Sequence, residues 1–402
     1  MKSINKTTSH LPSRLRRAGG RLLLLFVGAL ALQSCYDIED EYTYGRGLYT
    51  IDWSAAADSA TNSLVSRFWH QQRHYFVYTN EDFENPADPG YWPQAHGMDV
   101  VIDAYLRTGD KKYSDMFAQW YEGIKAVNFS NRNVNYRNDY YDDSEWIALT
   151  MLRLYGVTGE EQYLSTAKDL WEWIKTGWTD LGGGGIGWER TTYMALKNSC
   201  ANGPAALLAA RLYDITKNQD DLDWALRIYE WMKATVYNPA TGAIYDGYNA
   251  ATEELNSVTL SYNQGTFLAT AHELYKITGE QAYLNDARKT ANFAITSNAM
   301  IDTGNNVLRD EGSGDGGLFK GIFMRYFVQL ILEPDLDPVY AKKFETFLTN
   351  NADVLWRKGV NKNDILFGTN WATQTVGTTQ LTSHTSGCML MEAKAYYERM
   401  KK

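Results

Sequence analysis

Disulfide frameworks, metal sites and nucleic-acid-binding surfaces each leave a mark on a sequence, and those marks are missing here. Three cysteines, Cys35, Cys200 and Cys388, are too few among 402 residues for a disulfide framework. His70 and His74 in HQQRH have a metal-ligand spacing, but they belong to no HExxH pattern and lack a third ligand, so they read as a solvated helix end. A GxSxG nucleophile turn is absent, and Ser199 beside Cys200 has no identifiable base. Two stretches fit GxGxxG formally, at Gly182, Gly184 and Gly187 and at Gly312, Gly314 and Gly317, yet neither lies in a βαβ pattern, so both read as glycine-rich loops. No cofactor and no metal is expected. A net charge of −9 without a long Lys/Arg run excludes nucleic acid as a partner, because phosphate binding needs clustered positive charge.

What is present is apolar and aromatic. With 44% hydrophobic residues the chain can bury a large core, and its 13 Trp and 28 Tyr supply flat rings that suit sugar faces as well as helix packing. Near the N-terminus, Arg14, Arg16, Arg17 and Arg21 precede the apolar run LLLLFVGALAL at 22–32, too short for a folded membrane anchor and patterned as a removable export signal. The run ends in LQSC, which resembles a bacterial lipobox with Cys35 as the lipidated residue; an ordinary small-residue cleavage site is the alternative. The acidic YDIEDEY that starts after Cys35 is similar to export signals of surface lipoproteins in Bacteroidetes. The expected organisation is therefore a signal peptide over 1–34, a lipidated acidic tether over 35–50 and one catalytic domain over 51–402, held at the outer membrane and exposed on the cell surface or facing the periplasm. Cys200 and Cys388 then either form one bridge or remain two buried thiols.

A repeat fixes the architecture. YLRTGDKKYSDMF (105–117), YGVTGEEQYLSTA (155–167), YDITKNQDDLDWA (213–225) and YKITGEQAYLNDA (275–287) each read as a helix, a tight turn and another helix. The second helix of each unit is amphipathic: Tyr163, Leu164, Ala167, Leu170, Trp171 and Ile174 recur at helical spacing opposite a charged face. The helix before each turn is apolar nearly all round, as in Trp146 to Leu154, the pattern of a helix surrounded by helices. The count extends to about twelve helices, starting near residues 55, 93, 110, 142, 159, 199, 219, 260, 280, 316, 337 and 384. Six hairpins closed in a ring make an all-α (α/α)6 barrel. The short turns lead from inner to outer helices and the long connections lead back, so the long loops gather at the end where inner helices begin, and a site is expected there.

The inner-helix starts are WPQAHGMD, NDYYDDSEW, LKNSCANGP, SYNQGTF, GDGGLFKGIF and SHTSGCM, rich in groups that hydrogen-bond or stack on sugars. The crowded aspartates of NDYYDDSEW have a plain explanation, since acids cap helix starts and oppose the helix dipole. They also have a chemical one. Cleavage of a glycosidic bond needs an acid for the leaving oxygen and a second carboxylate to attack or to activate water. Adjacent side chains at a helix start diverge by about 100°, which allows Asp142 and Asp143 to flank one bond at the roughly 5 Å separation of a retaining enzyme. Mutual repulsion would help keep one of them protonated. Asp139 and Glu145 take lesser roles, as a capping or subsite group and as an early-helix carboxylate.

NDYYDDSEW, CANGPAALLAARLY, SYNQGTFL and DGGLFKGIFMRY together resemble glycoside hydrolase family 76, the endo-α-1,6-mannanases, over the chain after Cys35. The resemblance implies an (α/α)6 barrel that cleaves α-1,6-linked mannan with retention and without a metal, Asp142 being the nucleophile and Asp143 the acid/base. Helix-end position and the family-like segments together nominate Trp92, Asn138, Tyr140, Trp188, Asn198, Tyr262, Asn263, Gln264, Asp315 and Lys320 as substrate-binding residues, against simple capping or packing at each. The family also contains fungal wall transglycosylases. Further alternatives are a surface lipoprotein that binds glycan without cutting it, or another (α/α)6 carbohydrate enzyme with an acidic substrate, for which Lys197, Lys320 and Arg325 are the available cations.

Overall fold

A computed structural model describes residues 49–84 and 90–401. The signal segment, Cys35 and nearly all of the acidic tether lie outside the described residues. The chain divides into two units, Met1–Asp52 and Trp53–Lys402, and the architecture below is that of the second.

Twelve α-helices make up this unit among the described residues: α1 Trp53–Phe68, α2 Trp92–Thr108, α3 Lys111–Gly123, α4 Tyr141–Thr158, α5 Glu161–Lys175, α6 Ser199–Thr216, α7 Gln219–Thr235, α8 Ser261–Thr278, α9 Gln281–Thr296, α10 Gly316–Ile331, α11 Pro338–Val354 and α12 Leu381–Met400. Helices α2, α4, α6, α8, α10 and α12 each pack on the next, and α12 returns to α2, so they close an inner ring. The outer helices α3, α5, α7, α9 and α11 each pack on the inner helix that precedes them, while α1 packs on α12. The fold is the (α/α)6 barrel expected from the sequence, with its sixth hairpin assembled from the first and last helices.

The repeat has a local cause. At Thr108, Thr158 and Thr278 the hydroxyl donates to the carbonyl four residues back (2.7, 2.8 and 2.8 Å) and accepts the N–H two residues on (3.1 Å each). Gly109, Gly159 and Gly279 follow in the left-handed region and stop the helix. In the remaining copy Lys217 adopts the same conformation, at φ 57°. Helix α5 buries Tyr163, Leu164, Ala167, Leu170, Trp171 and Ile174 as its periodicity requires. In the inner ring, packing is close enough that a Cβ on Gly265 of α8 would lie 2.8 Å from Phe323 Cα of α10.

The long connections gather at one end and carry short antiparallel pairs: β1 Trp69–His70 with β2 Tyr75–Phe76, β3 Leu196–Asn198 with β4 Gly247–Asn249 and β5 Glu254–Asn256, β6 Ile301–Asp302 with β7 Val307–Leu308, and β8 Val360–Asn361 with β9 Leu366–Phe367. His70 and His74 therefore sit in a hairpin, His70 opposite Tyr75, and not at a helix end as expected. The turn demands a left-handed residue, which His74 supplies at φ 59°.

Side-chain amides in the first turns of inner helices hold these loops down. Gln94 of α2 accepts the N–H of Phe76 and donates to its carbonyl, both at 2.9 Å. Asn202 of α6 does the same for Ile186 (2.8 and 3.0 Å), and Gln264 of α8 for Ile244 (2.8 and 2.7 Å). All three clamped residues are fully buried, where an unpaired peptide group is costly. Replacing Gln264 with Leu keeps the bulk but orphans both backbone groups of Ile244, so the denaturant midpoint should fall by an amount equivalent to about 2–4 kcal/mol. An unchanged midpoint would show that the clamp contributes nothing.

Candidate active site

Asp142 and Asp143 occupy the first turn of α4, at the loop-bearing end of the barrel. Their surroundings differ. Asp142 keeps partial access to solvent; its Oδ2 accepts the indole N–H of Trp188 at 3.2 Å and its Oδ1 accepts the backbone N–H of Asp143 at 3.2 Å. The Cys200 thiol also donates to it. Burial raises Asp142 to about 6, and the three donors hold it there against a further rise, because each favours the ionised form. Asp143 is 8% exposed. Burial pushes its carboxyl well above the usual range, and the charges of Asp142 and Asp315 push the same way.

Glu145, one helical turn on, is fully buried, and neither carboxyl oxygen has a hydrogen-bond partner among the described residues. Burial, then the charges of Asp142 and Asp143, hold it well above its ordinary value. Three carboxyls on one turn thus share one desolvated space.

The wall of the site comes from several inner-helix starts and their loops. Trp92, at the start of α2, donates its indole N–H to Asp315 Oδ1 at 3.0 Å, which ties the starts of α2 and α10 together. Asp315 stands at the N-cap position of α10 without capping it, so its carboxylate is turned to Trp92 and to the field at Asp143. Tyr262 stacks on Phe319 (3.9 Å between centroids, 11° between planes), and the charges of Asp246 and Asp142 reach its phenol. Tyr140 packs edge-on against Trp188 at 5.2 Å. Asn198 is half-buried in β3 opposite Gly247. Asn263 is buried and donates to Asp246 Oδ1 at 3.1 Å, with its own carbonyl oxygen unpartnered.

Three nominated residues are buried and spend their polar groups on the protein itself. Asn138 is fully buried; its amide accepts from Tyr140 N at 2.9 Å and donates to Asn128 at 3.0 Å, so it shapes the loop ahead of α4. Gln264 is consumed by the clamp on Ile244. Lys320 is buried, donates to the Thr369 carbonyl and lies over the Trp371 ring at 4.6 Å; burial lowers it to about 8, against the pull of Asp310 and Glu311. It secures a loop behind α10. Both cysteines other than Cys35 are free buried thiols, which resolves the open choice between a bridge and two thiols.

Sequence reasoning missed Asp246. Its carboxylate is held by two amide donors, Asn263 and, at 2.9 Å, Asn256, and burial raises it. It precedes β4 in a long loop, with no spacing signal to mark it. Cys200 as a donor to Asp142 and Phe319 beneath Tyr262 were equally unmarked.

Glu145 yields a test. A carboxyl whose folded value lies above its unfolded one binds its proton more tightly in the folded state, so its contribution to stability is lost as pH rises from the unfolded value of 4.5 toward the folded one. Glu145→Gln removes that titration, and the melting temperature at pH 7 should rise by about 2 °C, with the gain vanishing near pH 4. A variant less stable than the parent at pH 7 would contradict this.

The likeness to known proteins follows the same lines. The chain is 39% identical to an α-1,6-mannanase of Salegentibacter sp. HEL1_6, over 86% of this chain and 100% of that one, with a TM-score of 0.81; that protein was solved as an inactive variant with two consecutive aspartates replaced by alanine, in complex with α-1,6-mannotetrose. It is 26% identical to a mannan endo-1,6-α-mannosidase of Candida glabrata over 83% of this chain, and 24% identical to a relative in Schizosaccharomyces pombe over 67%. The chain spans 75% and 64% of the length of those two curated relatives. The model for glycosyl hydrolase family 76 matches residues 52–402, all but the first residue of which lie in the barrel unit, and this chain belongs to that family.

Proposed function

We propose that this protein is a retaining glycoside hydrolase that cleaves α-1,6-mannosidic bonds within the backbone of mannan. The observation that carries the reading is the unequal treatment of two adjacent carboxyls: Asp142 receives three donors that favour its charge, whereas Asp143 is desolvated beside two like charges. Such a pair supplies a nucleophile and a proton donor at the same pH. Further support comes from the similar Salegentibacter mannanase, inactive when two consecutive aspartates are changed.

In this mechanism the Asp142 carboxylate attacks the anomeric carbon and forms an ester bond as the glycosidic C–O bond breaks. The bonding pair goes to the departing oxygen, which takes the proton of Asp143. Asp143, now a carboxylate, removes a proton from water, whose oxygen displaces Asp142 from the same carbon. The Trp188 indole and the Cys200 thiol keep Asp142 ionised and oriented before the first displacement and meet its carboxylate again after the second. Asp246, Asp315 and Asn263 present acceptors and an amide at the cleft wall that suit sugar hydroxyls, and Trp92 and Tyr262 present rings.

Asp142→Asn and Asp143→Asn should each lower kcat on linear α-1,6-mannan by about 10²- to 10⁴-fold without loss of melting temperature. Proton NMR of early wild-type products should show the α anomer, in chains of mixed length. Near-normal turnover by both variants would sink the assignment, β-anomeric products would exclude retention, and mannose alone would exclude internal cutting.

We also propose that Cys35 carries lipid and holds the enzyme at the outer membrane, displayed on the cell surface. Support for this is the order of the basic segment, the apolar run at 22–32, LQSC and the acidic stretch. Cys35→Ala should abolish palmitate labelling and release the protein from the membrane fraction; continued labelling would refute the anchor.

A further inference from the structure

We propose that Tyr193 and Phe129 form a distal sugar platform that lengthens the cleft beyond the aspartate pair and makes the enzyme favour long mannan chains over short ones. The proposal rests on the reading of the cleft as a mannan-cleaving site. Among the described residues only three aromatic side chains are counted as exposed, and two of them are Phe129, at 48%, and Tyr193, at 40%. Both belong to one row of rings. Phe129 contacts Tyr140 at 6.0 Å, Tyr140 contacts Trp188 at 5.2 Å, and Trp188 contacts Tyr193 at 5.4 Å. The row touches the chemistry at Trp188, whose indole N–H reaches Asp142. Each ring lies about one hexose from the next.

Exposure alone would mean little, because single apolar residues on a surface are ordinary. Tyr193 is different in being held. The Glu189 carboxylate accepts the backbone N–H groups of Thr191 (3.0 Å), Thr192 (2.6 Å) and Tyr193 (3.3 Å), and the Thr191 hydroxyl at 2.8 Å. Glu189 is itself bridged to Tyr140, and Arg190 is bound to Asp139 through both backbone (2.9 Å) and side chain (2.9 Å). Tyr141 N–H donates to the Trp188 carbonyl at 3.0 Å, so the loop carrying Tyr193 is stitched to the start of α4. A ring fixed in water before any partner arrives loses little freedom on binding, which is what a stacking platform requires. The ring faces offer apolar area, and a pyranose offers C–H faces to cover it.

The test compares kcat/KM on α-1,6-mannotriose with that on long linear α-1,6-mannan, for the wild type, Tyr193→Ala, Tyr193→Trp and Phe129→Ala. On this proposal a trisaccharide held across the aspartates stops short of the two outer rings of the row, whereas a long chain covers them. Tyr193→Ala and Phe129→Ala should each lower kcat/KM on mannan by about five- to tenfold, through KM, with the trisaccharide unaffected and the melting temperature unchanged. Tyr193→Trp should retain wild-type behaviour. Loss on both substrates alike, or on neither, would overturn the platform. A wild type that cleaves neither substrate would instead overturn the reading of the cleft itself.

Discussion

A chain that crosses the mouth of a helical barrel must bury peptide groups where no strand or helix serves them. Gln94, Asn202 and Gln264 meet that constraint by giving one buried loop residue both a donor and an acceptor. Ser144 serves Asn138 in a related way, its hydroxyl accepting the Asn138 N–H at 2.9 Å. Because each clamp sits in the first turn of an inner helix, loop and helix start are fixed as one body. The acidic pair of α4, the indole of Trp188 and the carboxylates of Asp246 and Asp315 come from different loops and helices, yet their relative positions follow from these few amides. Geometry of this kind, set by rigid elements and their supporting hydrogen bonds, is what a two-carboxylate reaction needs.

The site also shows a conflict between stability and use. Asp142, Asp143 and Glu145 are all raised by burial; the charge of Asp142 raises Asp143 further, and the charges of both aspartates raise Glu145. The helix dipole at the start of α4 favours negative charge, but it does not outweigh the loss of water in so confined a space. Charge that would be trivial on the surface is thereby concentrated where the proposed reaction needs one carboxyl ionised and another protonated. The barrel tolerates this because the inner helices are packed closely around it, as at Gly265 against Phe323.

Much of the fold was legible because its signals are periodic and local. The Thr-Gly turns announced themselves through a fixed spacing, and the contrast between all-apolar and amphipathic helices separated inner from outer. The observed helix starts fall within three residues of those read from the sequence, from Trp53 through Leu381. The aspartate pair was legible because adjacent acids before an apolar run are conspicuous. What stayed hidden was direction. Gln264 and Asn263 are neighbours in SYNQG, yet one faces a loop and the other the cleft carboxylate Asp246, and no pattern distinguishes them at a helix end buried on every side. Lys320 was ambiguous for the same reason, since a cation at an inner-helix start can secure a loop, as Lys320 does through the Thr369 carbonyl, as readily as it can meet a ligand. Asp246 lies in irregular backbone, where periodicity has nothing to say.

The sixth hairpin joins α1 to α12, and Thr61 donates to Glu392 at 2.7 Å across a separation of 331 residues. Contacts between such distant segments are the last that a growing chain can make. Five hairpins can stack in sequence as they emerge, but the ring stays an open arc until α12 has been synthesised and has found α1. Ring closure is therefore a late event in the life of the polypeptide, and an incomplete chain carries the acidic pair without the enclosed wall around it. By this topology the surroundings of the acidic pair are completed only when the last helix is in place.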